Sequence, residues 1–436
     1  MPNTDATHLE NDRSRTWLIG LIALLFAATF LNYAQRFVFT QNTTKIQQAF
    51  AEQSLDQDHN QSRNITAYSR AASRFSLGFA FGSLLFGIIA DAVSVRWLYP
   101  LVVVIWSVAG IMSGTIHTVA GLAASRFVLG LFEAGHWPCA LRTTQRAFLP
   151  ADRTAANGLL QSGASIGAVI TPLLVLLVHQ VDPTKWRFSF LIVGVVGIPW
   201  ALVWLWLVKP ADMNRAVIQT DETSNDVGHQ QELVEQPLRL IFCSRRWWLL
   251  LLTVICINTV WHFIRVWMTD WLENYHGYSH AFTTSFTSVY FLFTFFGALA
   301  SGALISWLAR RGWNVHQARM TTFLAFSLLT CLVVPAAFLP AGPILLVCLL
   351  VVAFGSLGLF PVFYSLNQEL SAKHQGKIAG SLGFCTWLTL SFFHEAVGQI
   401  VSTRPEMRTT IFCCVGVAPL IAYVALKLGW GTRSTN

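Results

Sequence analysis

The sequence predicts an all-α membrane protein: twelve transmembrane helices in two pseudo-symmetric six-helix bundles. Three observations predict it: scarcity of charge, a succession of apolar runs of spanning length, and repetition of short patterns across the middle of the chain. Of 436 residues, 54% are hydrophobic and 11% charged, with 17 Trp and 32 Phe. Soluble chains carry about 25% charged residues, and a soluble surface built from half that number would precipitate. The length also exceeds a usual single domain, which favours two core-building halves.

The first apolar run, Trp17 to Phe39, is of spanning length and ends in polar residues rather than at a small-residue cleavage site. It is therefore span 1 and not a cleavable signal. Further runs of roughly 20 residues fall at about 67–90, 97–117, 119–146, 154–178 and 188–208, which are spans 2 to 6. Spans 7 to 12 follow at about 247–274, 281–308, 318–340, 342–370, 376–402 and 408–429. The expected organisation is a tail at 1–16, a bundle at 17–208, a linker at 209–246, a second bundle at 247–429 and a tail at 430–436. The linker is the longest polar stretch and holds Asp221, Glu222, Asp226, Glu232 and Glu235.

Basic residues set the orientation, because segments rich in Lys and Arg stay in the cytoplasm. With the N-terminus inside, the inner segments hold Arg13, Arg15, Arg96, Arg142, Arg146, Arg153, Lys209, Arg215, Arg239, Arg245, Arg246, Arg310, Arg311, Arg319, Lys373, Lys377, Lys427 and Arg433. The outer side holds Lys45, Arg63, Lys185, Arg187, Arg404 and Arg408. Eighteen against six places both termini in the cytoplasm, and Arg36, Arg70, Arg74, Arg126 and Arg265 are left within or at the ends of the spans. The formal charge of +8 is thus a topology signal spread along inner loops, which excludes nucleic-acid binding.

The halves repeat one another. Gly87, Asp91 and Arg96 after span 2 recur as Gly302, Ser306 and Arg311 after span 8. Leu-Gly-Leu-Phe occurs at 129–132 and again at 357–360, and Arg36 is matched by Arg265. The offsets of 215, 228 and 229 agree in order and size, as one duplication with small insertions requires. Parallel six-helix halves around a central cavity resemble the major facilitator architecture.

The motifs sharpen that resemblance. Gly87-Ile-Ile-Ala-Asp91-Ala-Val-Ser-Val-Arg96 resembles the superfamily's segment between helices 2 and 3, with Ser94 where glycine is usual. Arg126-Phe-Val-Leu-Gly-Leu-Phe-Glu133-Ala-Gly-His-Trp-Pro138 is followed by Pro150-Ala-Asp-Arg153, Gln161-Ser-Gly-Ala-Ser-Ile-Gly-Ala168, Pro172 and Trp186-Arg187. This order is similar to the anion:cation symporter family, especially its hexuronate and sugar-acid (galactonate, glucarate, sialate-type) transporters. The likeness is strong over roughly 30–208 and weaker after the linker. It implies a plasma-membrane symporter, in a bacterium the inner membrane.

Two departures stand out. That family has an aspartate before the span 1 arginine, implicated in proton coupling; here Asn32-Tyr33-Ala34-Gln35-Arg36 puts a non-titrating Gln35 there. Span 7 reads Trp261-His262-Phe-Ile-Arg265-Val-Trp-Met-Thr-Asp270-Trp271, and an arginine followed by Asp-Trp resembles organophosphate:phosphate antiporters.

The residues themselves point to an anion. An arginine at bilayer depth costs about 2.5–3.5 kcal/mol on insertion scales, so these arginines are not expected to face lipid. The mid-span acids are Glu133 and Glu395 alone, so the interior is net positive. A guanidinium donates two parallel hydrogen bonds to a carboxylate or phosphate, which suits Arg36 and Arg265 facing each other across a two-fold cavity. Hydroxyls need neutral donors, acceptors and aromatic faces: Tyr33, Gln35, Gln161, Asn258, Trp261, Tyr290, Tyr364, Asn367 and Trp387 supply them. Arg126 joins this set of substrate-binding candidates.

Each candidate has a plainer alternative. Arg36 can hydrogen-bond backbone at a helix end, and Arg265 can bridge to Asp270. Arg126 and Glu133 are seven apart, hence on one face of span 4, and suit a structural ion pair as well as a coupling pair. A buried carboxylate beside a cation can exchange its proton as the cavity opens and closes, the role expected of Glu133. His394 beside Glu395 can replace the proton function missing at Gln35, since imidazole titrates in the useful range; packing roles are equally open to His394, His262 and His136. Arg70 and Arg74, one turn apart in span 2, can attract anions at the entrance or snorkel. Asp91 and Arg96 are read as a cytoplasmic latch. Gly130, Gly135, Pro138, Gly163, Gly167 and Pro172 are close-packing and bending points. The eight cysteines form no CxxC pair and sit in apolar runs, as inert core thiols do. Asn42, Asn60 and Asn64 head Asn-x-Ser/Thr triplets, which matter only in a secretory-pathway host.

The expected function is a secondary transporter moving a hexuronate or related sugar acid by alternating access as a monomer, with the proton as coupling ion and no cofactor or metal. The alternative is exchange of an organophosphate or other organic anion for phosphate. A transporter-like sensor would need a signalling domain that the tails do not offer, and no phosphate loop, metal cluster or nucleophile triad suggests an enzyme.

Overall fold

The computed structural model describes residues 15–42, 45–46, 48–49, 60–214, 237–404 and 406–430. Both predicted tails, apart from Arg15, Thr16 and Trp430, and most of the predicted linker lie outside these residues. Among the described residues the chain is helical without strands, and ten stretches are long and apolar enough to cross a membrane. Span 1 is the helix Arg15–Gln41, span 2 Asn60–Ala92, span 3 Val95–Thr115 and span 5 Pro150–Val181. Spans 7 and 8 are Arg245–Asn274 and His280–Arg310, and spans 10 and 12 are Pro343–Asn367 and Met407–Gly429.

Three spans are interrupted, each three or four residues before a proline. Span 4 is Val119–Glu133 followed by His136–Ala147, span 6 is Phe188–Val195 followed by Gly197–Leu207, and span 9 is Val315–Thr330 followed by Val333–Ala336. Proline has no N–H for the carbonyl four residues back, so Pro138, Pro199 and Pro335 orphan the carbonyls of Ala134, Val195 and Cys331, at or next to the breaks. Pro100 in span 3 does not break its helix, because the Trp204 indole Nε1–H donates to the Arg96 carbonyl at 3.1 Å. Span 4, in pieces of 15 and 12 residues, is not among the ten long apolar stretches, nor is span 11, the helix Gln375–Thr403.

The repeated motifs occupy equivalent places. Gly130 of the first Leu-Gly-Leu-Phe packs on span 2, where an added Cβ would lie 2.2 Å from the Phe75 carbonyl oxygen. Gly358 of the second packs on span 8, 2.9 Å from the Gly297 carbonyl oxygen on the same construction. Gly87 meets span 11 at Gly376 and Gly380, while Gly302 meets span 5 at Ala155. The halves therefore join along spans 2 and 11 on one side and spans 5 and 8 on the other, with small residues letting the backbones approach.

Polar contacts between the halves concentrate at the face where the described chain begins and ends. Asp91 pairs with Arg142 of its own half and accepts the backbone N–H groups of Gly376 (2.7 Å) and Lys377 (2.9 Å), which open span 11. Gln145 Nε2 donates to the carbonyls of Gln368 (2.7 Å) and Ser371 (3.0 Å), and Gln368 Nε2 returns the bond to the Leu141 carbonyl (2.8 Å). Asn157 Nδ2 donates to Gln368 Oε1 at 3.0 Å. Arg319 pairs with Glu369 and donates to the Pro150 carbonyl at 2.7 Å. Arg96, expected to share the latch with Asp91, instead lies with its guanidinium 5.0 Å from the Trp97 ring centre.

Candidate functional site

Between the halves lies a cavity holding about 670 Å³ of empty space, its mouth included. Tyr33 and Arg36 line it from span 1, Ser83 from span 2 and Trp137 from span 4. The second half contributes Asn258 and His262 of span 7, Tyr364 and Asn367 of span 10, and Thr386 and Trp387 of span 11. Rings, amides and hydroxyls around one guanidinium, set among the apolar Ala134, Leu141, Val254, Ala379 and Leu382, are the chemistry of a site for a small polar anion.

Arg36 is the centre of this wall. Its Nε donates to Glu133 Oε2 at 2.8 Å, with Arg36 8% exposed and Glu133 wholly buried. Its guanidinium carbon lies 4.7 Å from the Phe79 ring centre, 5.0 Å from Tyr33 and 5.6 Å from Trp387. Glu133 ends the first piece of span 4, and Asn32 Nδ2 approaches its backbone carbonyl at 3.4 Å, so the break in span 4 is held against span 1. Among the described residues Arg36 Nη2 and Glu133 Oε1 have no hydrogen-bond partner. A buried donor and acceptor left open beside a charged pair are costly, and an anionic ligand would satisfy the first of them.

Also on the wall, the Trp137 and Tyr364 rings stack at 5.0 Å with planes 29° apart. The Tyr364 hydroxyl donates to Gln161 Oε1 at 3.0 Å, which fixes that ring from behind. Rings held in this way give that part of the cavity a fixed apolar surface.

Residues 17–393 match the Major Facilitator Superfamily. The chain belongs to that superfamily. The D-galactonate transporter of Escherichia coli O6:H1 is 26% identical to it over 349 residues, which is 77% of this chain and 78% of the relative. The hexuronate transporter of Escherichia coli K12 is 25% identical over 419 residues, 93% of this chain and 90% of the relative. A solved proton:xylose symporter has the same fold, with a TM-score of 0.72 at 12% identity, covering 95% of this chain and 96% of that one. Membership of the superfamily makes the chain an integral membrane transporter of a small molecule, not an enzyme.

Within this major facilitator frame, the predicted site residues divide into two groups. Tyr33, Arg36, Asn258, Tyr364, Asn367 and Trp387 come together on the cavity wall. Gln35, Arg126, Gln161, Trp261 and Arg265 are not among the residues that line it. Gln35 turns to span 3, where it packs so tightly on Gly110 that a Cβ there would fall 2.1 Å from its Oε1. Arg126 lies with its guanidinium over the Phe39 ring (4.0 Å) and the Phe75 ring (4.8 Å). Trp261 packs edge-on to Phe291 at 5.9 Å. Arg265 Nη2 donates to His262 Nδ1 at 3.0 Å, so it reaches the cavity through that histidine. Tyr290 is buried in the core.

The partner of Glu133 is Arg36 and not Arg126, for which seven-residue spacing gives the same helix face but no reach. His136 is a packing group: its Nδ1 lies 2.8 Å from the Tyr99 hydroxyl and its Nε2 3.1 Å from Thr29 Oγ1. Arg74 is exposed. The side chains of Arg70, Asp270, His394 and Glu395 lie outside the described residues. Trp137, Ser83 and Thr386 on the wall, and Arg142, Gln145 and Gln368 in the latch, were not singled out as site residues; Trp137 stands beside Pro138 in a motif segment, which was the available signal.

Proposed function

We propose that the chain is a proton-coupled symporter of a sugar acid, a hexuronate or aldonate, in a bacterial inner membrane, with both termini cytoplasmic. The observation that carries this reading is Arg36 on the wall of a cavity that also presents rings, amides and hydroxyls, with the wholly buried Glu133 paired to it. Arg36 is the carboxylate anchor, and its Nη2, buried and without a hydrogen-bond partner among the described residues, is the donor it holds for a carboxylate. Glu133 competes with the substrate for the same guanidinium. When Glu133 takes a proton, its hold on Arg36 weakens and the substrate carboxylate replaces it, so one proton enters with one anion. Return of the empty carrier then needs Glu133 ionised again and paired with Arg36, which keeps a bare buried cation from crossing.

The orientation rests on the excess of Lys and Arg in the segments at the face that carries the termini. The cytoplasmic latch built on Asp91, Gln145, Gln368 and Arg319 closes that face, so the state described is closed towards the cytoplasm. Relatives named for D-galactonate and hexuronate support the sugar-acid assignment. A clamp of two arginines, which phosphate exchange would use, finds less support, since Arg265 is engaged with His262 behind the wall.

Purified protein in liposomes tests the reading. An inward proton gradient is expected to drive accumulation of labelled glucuronate or galactonate, and phosphate inside the vesicles to make no difference. Uptake only into phosphate-loaded vesicles would replace the symport reading by exchange.

A further inference from the structure

We infer that the second half of the wall reads the hydroxyl hydrogens of the substrate: Asn258, Tyr364, Asn367 and Thr386 meet the ligand as hydrogen-bond acceptors, so a hydroxyl facing them must donate. The inference rests on the sugar-acid reading and adds to it which atoms of the substrate are read, and by which residues. It follows from where the wall's own protons are already committed. Thr386 Oγ1 donates to the Leu382 carbonyl at 2.7 Å, and Ser83 Oγ of span 2 donates to the Phe79 carbonyl at 2.8 Å. A hydroxyl has one proton and two lone pairs, so each keeps only acceptor capacity for a ligand. The Tyr364 hydroxyl donates to Gln161 Oε1 at 3.0 Å and is left in the same condition. Asn258 Nδ2 donates to the Val254 carbonyl of its own helix at 2.8 Å. Turning that amide round would set two oxygens against each other, so the bond fixes which end is the acceptor. Asn367 is 1% exposed, and its Oδ1 is buried without a hydrogen-bond partner among the described residues. A buried acceptor left open is costly until something donates to it.

All five neutral side chains line the cavity that Arg36 lines, and four of them belong to the second half. The halves thus divide the ligand between them. The first half supplies the guanidinium, which takes the carboxylate, and the second supplies lone pairs, which take hydrogens. Among the polar groups of an organic anion, a hydroxyl can meet such lone pairs. A carbonyl or an ionised phosphate oxygen brings only lone pairs of its own, and against these residues its desolvation would go uncompensated. The same carbon skeleton is therefore favoured as a hydroxy acid over its oxo counterpart.

Fluorine separates the two hydrogen-bonding roles, because C–F in place of C–OH keeps a similar size and a weak acceptor but has no hydrogen to donate. Proteoliposomes take up labelled galactonate or glucuronate, whichever the protein moves, in competition with the monodeoxy and monofluorodeoxy analogues of that acid at each hydroxyl-bearing carbon. At one position or more, both analogues are expected to compete equally poorly, about 2–10-fold less well than the parent acid, the loss of one neutral hydrogen bond. Asn258→Ala and Asn367→Ala then assign the acceptors. Each should weaken the parent acid by a similar factor, yet bind the analogue altered at the position it reads as well as wild-type protein does. The wild-type comparison needs no variant, so it decides even where an alanine fails to fold. If no position shows a fluorodeoxy analogue as poor as its deoxy partner, or if the losses from variant and analogue add at every position, the inference is overturned while sugar-acid transport stands. Folded wild-type protein that moves neither acid overturns the transport reading and the inference with it.

Discussion

Arg36 of span 1 and Glu133 of span 4 share one buried hydrogen bond of 2.8 Å, and each keeps a further polar atom unsatisfied among the described residues. A purely structural pair would close both ends, since taking two charges out of water is repaid only when the remaining donors and acceptors are met. The pair is therefore poised between two partners. It also ties the break in span 4 to the last turns of span 1, so a change in its protonation acts on a point where the helix backbone is already interrupted.

Replacing Arg36 by Ala removes the anchor and leaves Glu133 as a buried carboxylate without its cation. A charge-assisted hydrogen bond is worth about 1.5–3 kcal/mol, so affinity for the sugar acid should fall roughly 10–150-fold. Binding by calorimetry or quenching of cavity tryptophan fluorescence measures it. Wild-type affinity in Arg36→Ala would remove the anchor from the mechanism.

Glu133→Gln should separate binding from coupling. The amide keeps the shape and a carbonyl oxygen for Arg36 Nε, but it cannot exchange a proton. Exchange of internal for external substrate should persist, while accumulation driven by a proton gradient should be lost. The ratio of the two rates in the same vesicles gives the answer, and gradient-driven accumulation in Glu133→Gln would move coupling to another group, such as His394 or Glu395.

The spans, the duplication and Arg36 itself were legible in the sequence, because hydropathy, repeated glycine motifs and the cost of a buried arginine each leave a one-dimensional trace. The breaks in spans 4, 6 and 9 were legible in principle from Pro138, Pro199 and Pro335, but Pro100 shows why proline alone does not decide: Trp204, distant in sequence, satisfies the carbonyl it orphans. Partner choice was not legible. Spacing put Arg126 on the face of Glu133, yet the bond goes to Arg36 on another helix. Gln35 sits next to Arg36 in the chain and points instead at Gly110, because successive helical residues diverge by about 100°. The latch of Gln145, Gln368 and Asn157 consists of amides bonded to backbone and to each other across the halves, a pattern without sequence spacing.

That latch makes its own prediction. Asp91 holds Arg142 and two backbone N–H groups at the start of span 11, where the helix dipole also favours a carboxylate. Asp91→Asn should cost the closed state about 1–3 kcal/mol, shifting the balance of the two open forms by roughly 5–150-fold. A cysteine at Thr386, in a background without native thiols, should then react faster with a membrane-impermeant reagent added from the face that carries the termini. Unchanged labelling from that face would show that the amide network closes it without Asp91.

Gly87 tests closure by bulk instead of by charge. A Cβ built on it lies 2.6 Å from the Gly376 carbonyl oxygen and 2.9 Å from the Gly380 Cα, both backbone atoms of span 11 that cannot rotate away. Its repeat counterpart Gly302 is as tightly placed, 2.7 Å from the Ala155 Cα of span 5. Because these contacts exist only while the two halves are shut at this face, a Gly87→Val variant should fold but fail to close there. Substrate binding from the opposite side should weaken at least tenfold, and net transport should stop. If Gly87→Val keeps both, spans 2 and 11 do not need to approach this closely during the cycle. A Gly302→Val variant with the same defect would establish that the two seams of the duplicated fold close together.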